Sequence, residues 1–223
     1  MRLYVRVLMI GFILFLFSGC ASIIKGGGAA DLLRCNVGSP EEVSGAVKTV
    51  LAAAGGIDIL VNNAGINIRK PPDQLDIKEW DSVISTNLTS AFLCSRAVHT
   101  AMKDGGGGKI INIGSMLSIF GAGFAPAYAA SKGGIVQFTR ACASAWAKDN
   151  IQVNAIAPGW FATDNTAPLR ADPVRSAEIL GRIPTGRWGI PDDLKGAVVF
   201  LASDASSYVN GFTLAIDGGW LAR

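Results

Sequence analysis

Histidine is almost absent, cysteine is sparse and charge is low. The single histidine, His99, and four scattered cysteines (Cys20, Cys35, Cys94, Cys142) form no C-x-x-C pair. That pattern excludes a zinc site of ordinary spacing and a disulfide scaffold, and it suits a reducing compartment. Charged residues make up 17% of the chain and leave a net charge of +3. So small and dispersed a surplus excludes a nucleic-acid surface. What the chain has instead is apolar residues, half of the total, and 27 glycines that fall in clusters. That balance excludes intrinsic disorder, collagen-like repeats and coiled coil, and 223 residues suit one large domain or two small ones.

Residues 7–24 (VLMIGFILFLFSGCASII) carry no charge between Arg6 and Lys25. With Arg2 and Arg6 ahead, they read as the n-region and h-region of a secretory signal, or as a marginal membrane helix. Phe17-Ser18-Gly19-Cys20 resembles a bacterial lipoprotein cleavage box, with Phe17 where such boxes usually carry Leu. The other reading is a start unrelated to the rest. Either way residues 1–30 separate from a body at 31–223, and a membrane is a partner only if 7–24 is a genuine anchor.

From residue 32 onward strands and helices alternate. Leu32–Val37 reads as a short strand, and Ser39-Pro40-Glu41-Glu42 as a helix start with Pro in the first turn. Apolar residues at helical spacing (Val43, Val47, Val50, Leu51) run to Gly55-Gly56. Further strands are expected at 57–61, 109–113, 151–156 and 212–216, and helices at about 77–102, 128–148 and 191–202. Nearly wholly apolar strands joined through helices predict a parallel sheet covered on both faces, an α/β doubly wound fold. Ligands sit outside the carboxyl ends of such strands. The places to look for chemistry are therefore Asn62–Gly65, Gly114–Ser115 and Pro158–Gly159.

Ser115 follows one strand, and Tyr128-Ala129-Ala130-Ser131-Lys132 opens the next helix. Tyr128 and Lys132, four apart, share a helix face. A phenol with a free pKa near 10 is a poor base at neutrality, and a neighbouring ammonium is expected to lower it, giving a general acid/base. Ser115 can donate a hydrogen bond to a substrate oxygen. His99, in the long helix, reads as structural, and no metal is expected.

The order Asn62-Asn63-Ala64-Gly65, Asn87, Ser115, Tyr128/Lys132 and Pro158-Gly159 resembles the short-chain dehydrogenase/reductase family over residues 30–223. Asn67–Pro71, Thr163–Asp172, Arg187-Trp188-Gly189 and the tail from Val209 resemble a subgroup acting on sugar acids. The resemblance implies a Rossmann-like oxidoreductase that moves a hydride between NAD or NADP, NAD being favoured, and a hydroxyl or keto carbon of a sugar acid of the 2-deoxygluconate or 2-dehydro-3-deoxygluconate type. It implies that Tyr128 exchanges a proton with the substrate oxygen. Lys132 would lower the tyrosine's pKa and hold the nicotinamide ribose, Ser115 would orient the carbonyl, and Asn87 would position a water linking Lys132 to solvent. Asn62, Ala64 and Gly65 would lie along the adenosine ribose, with Pro158, Gly159 and Thr163 near the nicotinamide. Asn36 stands where relatives usually carry an adenine-binding Asp, and its carbonyl oxygen can still accept. For the sugar-acid carboxylate the candidates are Arg69, placed first, then Arg170 and Arg187, with Trp160 lining the pocket. The resemblance also implies a homotetramer and a cytoplasmic catalytic body.

No T-G-x-x-x-G-x-G motif occurs in the chain. The expected sheet therefore lacks its first two strands and glycine-rich turn, which exposes the edge of 57–61 and weakens dinucleotide binding. An inactive, membrane-tethered remnant acting as an interaction surface, and a reductase of 3-oxoacyl thioesters, stand as alternatives.

Overall fold

In the computed structural model, residues 7–10 and 33–222 are described. Five strands, β1 (Val7–Ile10), β2 (Ile59–Asn62), β3 (Gly108–Ile113), β4 (Ile151–Pro158) and β5 (Thr213–Ile216), form one sheet in the order β1-β2-β3-β4-β5. Every neighbouring pair is parallel. Helices α1 (Pro40–Ala54), α2 (Ile77–Ile84), α3 (Ser90–Asp104), α4 (Pro126–Trp146), α5 (Ala167–Ala171), α6 (Pro173–Leu180) and α7 (Lys195–Ala202) fill the connections. The doubly wound parallel sheet expected from the apolar strands is the one observed.

Two expectations change. Val7–Ile10 is a strand, not part of an apolar helix, and its backbone pairs with Ile59–Asn62 in register from Val7↔Ile59 to Ile10↔Asn62. The edge expected to lie bare is thus covered, because a row of unpaired N–H and C=O groups takes whatever apolar segment can complete the ladder. The rest of 11–24 lies outside the described residues. Among the described residues no helix is long and apolar enough to cross a membrane. Residues 33–36, in turn, form no strand. Asn36 instead turns the chain into α1: its Oδ1 accepts from the Gly38 N–H at 3.1 Å and its own N–H donates to Glu42 at 2.8 Å.

Alternation along the strands sorts the core. Leu60, Ile110 and Val153 face α1, α3 and α4, meeting Val47, Val98 and Met102. Ile59, Val61 and Ile111 face the other way, against Leu201 of α7. A third cluster, Met116, Ile179, Ile183 and Trp220, lies apart from both faces and docks α6 onto the turn that follows β3. Local signals set the helix starts: Ser39 caps α1 with Pro40 in its first turn, Asp76 forms a reciprocal capping box with Glu79, and Asp172 caps α6.

Candidate active site

The chain's polar groups gather at the carboxyl ends of β2, β3 and β4. After β3, Ser115 caps a short 3₁₀ turn (Met116–Ser118), its Oγ accepting from Leu117 N–H at 3.2 Å. Ser118 ties that turn to α4 by donating to the Lys132 carbonyl at 2.7 Å. One turn of α4 carries Tyr128 and Lys132 towards the same place. The Ser115 hydroxyl hydrogen-bonds the Tyr128 phenol. The Lys132 amine sits 5.6 Å from the phenol ring's centroid and donates to the Ile113 carbonyl at 2.7 Å.

The electrostatics differ from the expected tuning. Tyr128 is raised, not lowered: burial is the largest cause, opposed by the Ser115 hydrogen bond and by the charge of Arg69. Lys132 fails to bring the phenol down because its amine lies beside the ring and is itself desolvated, its pKa pushed down to about 8. The charge that does act on the phenol comes from Arg69.

Asn87 lies in a π-helical turn, Ser85–Thr89, between α2 and α3, a distortion that often marks a working position. Its amide brackets the loop after β2. Oδ1 accepts from Ile66 N–H at 2.7 Å, and Nδ2 donates to the Ile66 carbonyl at 2.9 Å and to Ser131 Oγ at 3.0 Å. The amide expected to hold a water thus pins the Asn62–Gly65 loop to α4. Ser131, present in the motif but given no role from sequence, is the partner that makes the pin.

Beside this loop, a Cβ on Gly65 would lie 3.4 Å from Asn87 Oδ1 and 3.5 Å from Lys132 Nζ. The missing side chain leaves a cradle next to an amine with donors to spare, which fits a ribose hydroxyl. Half-buried Ala64 borders it. Asn62 points elsewhere: its Nδ2 donates to Ser95 Oγ at 3.0 Å and to Asn112 Oδ1 at 2.8 Å inside the core. Any ligand contact it makes runs through its backbone. Asn36 Oδ1, expected near the adenine, is engaged by Gly38.

At the end of β4, Pro158-Gly159 leads into a segment that supplies Trp160, Ile179 and Arg182 to a cavity wall. Gly159 N–H donates to the Ile216 carbonyl at 2.9 Å. Exposed Thr163 accepts from Arg170 Nη2 at 3.1 Å. Arg69 Nη2 donates to the Asn165 carbonyl at 2.9 Å. Arg187, offered from sequence as a carboxylate ligand, is already clamped in a bidentate pair with Asp193 at 2.7 and 2.9 Å. That pair holds Asp193 down at about 2. Trp160 packs edge-on to Trp188 and Trp220, with centroids 5.9 and 5.8 Å apart. It lines a cavity of ≈ 680 Å³ whose wall also holds Leu117, Phe124, Ile179, Arg182 and Trp220. Arg182 had no place in the sequence reading, since nothing in its local pattern marks it, and Trp220 entered only as part of the tail that carries the subgroup resemblance.

A parallel sheet whose strand ends bring together a half-buried phenol, a hydroxyl donor and a desolvated amine, with a cavity starting at Leu117, defines an oxidoreductase of the nucleotide-dependent α/β class. The profile described as enoyl-(acyl carrier protein) reductase matches residues 16–221. The chain belongs to the short-chain dehydrogenase/reductase family. It is 58% identical over 174 residues to 2-dehydro-3-deoxy-D-gluconate 5-dehydrogenase of Escherichia coli K12, covering 78% of this chain and 69% of that protein. A Beutenbergia cavernae protein solved with NADP at low occupancy superposes with a TM-score of 0.84 and 49% identity, covering 88% of this chain and 79% of its own. The gluconate 5-dehydrogenase of Burkholderia cenocepacia, solved with NADP and tartrate, gives 0.82 and 41%, covering 84% and 73%.

Proposed function

We propose that this chain interconverts a hydroxyl and a keto group on a sugar acid of the 2-dehydro-3-deoxygluconate or gluconate type, with a nicotinamide dinucleotide as redox partner. The observation that carries the reading is the half-buried Tyr128, its phenol hydrogen-bonded to Ser115, with Leu117 two residues beyond that serine in the wall of a ≈ 680 Å³ cavity that also holds two guanidinium groups. The names of the relatives supply the substrate class.

Ser115 donates to the substrate carbonyl oxygen and holds it beside the phenol. Tyr128, protonated at neutral pH, hands its proton to that oxygen as the carbon is reduced, and takes it back in oxidation. Lys132 directs its free N–H groups to the ribose cradle beside Gly65. Asn87 keeps that cradle in place through Ile66 and Ser131. Pro158, Gly159 and Thr163 border the nicotinamide side, and Ala64 the adenosine side. A bound nicotinamide supplies the carbon that gives or accepts hydride. NAD is the form the family resemblance favours, whereas the two solved relatives hold NADP, and parallel titrations with both distinguish them. Arg69 braces the segment after β4 from the loop after β2, and Arg170 ties α5 back to Thr163 within that segment. A homotetramer in the cytoplasm completes the reading, checked by light scattering behind a sizing column.

The test is oxidation of NADH and NADPH with a panel of keto sugar acids and acetoacetyl thioesters, wild type against Tyr128→Phe. Turnover of a sugar acid that falls by about 10²–10⁴-fold in the variant supports the proposal. Preference for the thioesters, or parental turnover by Tyr128→Phe, overturns it.

A further inference from the structure

Three arginines were candidates to hold the substrate's carboxylate, and each already has a protein partner. Arg187 is clamped by Asp193, Arg170 holds the Thr163 carbonyl, and Arg69 holds Asn165. Arg69 also lies close enough to Tyr128 for its charge to act on the phenol. A carboxylate at C1 of a sugar acid is two bonds from a reacting C3 and four from a reacting C5, so its cation belongs away from the end of the cavity nearest Tyr128. Leu117, two residues beyond Ser115, marks the near end.

Two guanidinium groups and one carboxylate line the cavity wall: Arg175, Arg182 and Glu178. Arg175 and Glu178 neutralise one another across 2.6 Å. Arg182 is left as the uncompensated charge, and among the described residues its guanidinium meets no carboxylate or carbonyl. Its plane lies over Trp220, with Cζ 4.2 Å from the indole centroid. Stacking of this kind fixes the plane of a guanidinium while leaving its N–H edge open, the arrangement that grips a carboxylate through two parallel bonds.

The backbone beneath is equally fixed. Arg182 follows α6, its N–H donating to the Ile179 carbonyl at 3.1 Å. Ile179 and Ile183, both buried on either side of it, pack with Met116 and Trp220. A side chain held this way loses little freedom when an anion docks. We propose that Arg182, stacked on Trp220, is the residue that recognises the substrate carboxylate and so selects acids over neutral sugars. This rests on the sugar-acid reading given above and assigns that reading's specificity to one side chain.

The test compares binding of D-gluconate and its neutral amide, D-gluconamide, followed by tryptophan emission with and without NADP⁺. Wild type is expected to prefer the acid by about 10- to 100-fold, the range for a charged hydrogen-bonded contact. In Arg182→Leu that preference collapses towards one. In Arg182→Lys, which keeps the charge and loses the fork, it is intermediate. The double variant Arg175→Leu with Glu178→Gln keeps the preference, since it removes a pair that is already neutral. Thermal melts establish that each variant is folded, and Arg182→Lys carries the comparison if Arg182→Leu is not. If wild type prefers gluconate and Arg182→Leu and Arg182→Lys both retain the full preference, the Arg182 assignment fails alone. If wild type shows no preference for the acid, the sugar-acid reading fails and takes this assignment with it.

Discussion

Arg69 donates from Nη2 to the Asn165 carbonyl across 2.9 Å, joining residues 96 positions apart in the chain. One end belongs to the loop after β2, the other to the short turn Asp164–Thr166 after β4. The same cation pulls the Tyr128 phenol down against the burial that raises it. Removing the charge in Arg69→Leu therefore lets the phenol's pKa rise further. The alkaline limb of the pH profile for alcohol oxidation should move to higher pH, while Arg69→Lys moves it less. A limb that stays put, or moves to lower pH, contradicts the arrangement.

With Tyr128 held above its ordinary value of 10.0, the protonated phenol dominates at neutral pH. Keto reduction needs that acid and alcohol oxidation needs its conjugate base. Reduction is accordingly expected to be the faster direction at pH 7, and the oxidation rate to climb continuously with pH through the mildly alkaline range. Steady-state rates in both directions at pH 6–10 check this, and an oxidation rate already level by pH 7 refutes it.

Lys132 binds its proton less tightly when folded, its pKa falling from 10.5 to about 8 through burial. Below pH 8 both folded and unfolded chains carry the proton, and the folded one bears the full cost of a desolvated charge. Between pH 8 and 10.5 the unfolded chain holds more protons, so stability rises with pH across that window, by about 3 kcal/mol. Lys132→Met never carries that charge, although it leaves the Ile113 carbonyl without its donor. It should be inactive yet resist urea better than wild type at pH 7, with the advantage shrinking between pH 8 and 10.5. Urea midpoints at pH 7, 9 and 10 give the result, and an advantage independent of pH speaks against a buried charged amine.

The parallel sheet, the order of the polar groups along it and the shared helix face of Tyr128 and Lys132 were legible because each follows from local pattern. Apolar runs give buried strands, and an i, i+4 pair shares a helix face. What escaped needed partners distant in the chain. Asn62 looked like a ligand-facing residue at a strand end. Only its neighbours Ser95 and Asn112 reveal that its amide turns inward. Arg187 looked free until Asp193, six residues on, was seen to clamp it. Arg182 carries no local signal because its role depends on Trp220, 38 positions later. Val7–Ile10 read as signal-like because apolar composition does not distinguish a strand that completes a sheet from a helix in lipid.

The inward amides form a relay across the interior: Asn62 to Asn112 at 2.8 Å, and Asn112 to Thr139 at 2.9 Å. Asn112 is fully buried, so Asn112→Ala leaves a cavity and strips the amide of Asn62 and the hydroxyl of Thr139 of a partner each. The expected loss is about 2–4 kcal/mol, read as a lower urea midpoint at unchanged slope. A variant within half a kcal/mol of wild type shows that the relay contributes little.

Gly159 and Asp217, each one residue past the ends of β4 and β5, lie against one another. A Cβ on Gly159 would stand 2.6 Å from Asp217 Cα and 2.7 Å from its Cβ, so Ala cannot enter without parting β4 from β5. The strain does not stay local. Asp217 holds the next turn by accepting from Gly219 N–H and Leu221 N–H, both at 2.9 Å, and that turn delivers Trp220 to the cavity wall under Arg182. Gly159→Ala is thus expected to destabilise the fold by about 1–3 kcal/mol, to shift tryptophan emission and to weaken gluconate binding together. Gly45→Ala, in the middle of α1 where an added methyl meets nothing within 4 Å, should instead stabilise by about 0.5–1 kcal/mol with emission unchanged. If the two alanines behave alike, the contact between Gly159 and Asp217 is not what places Trp220.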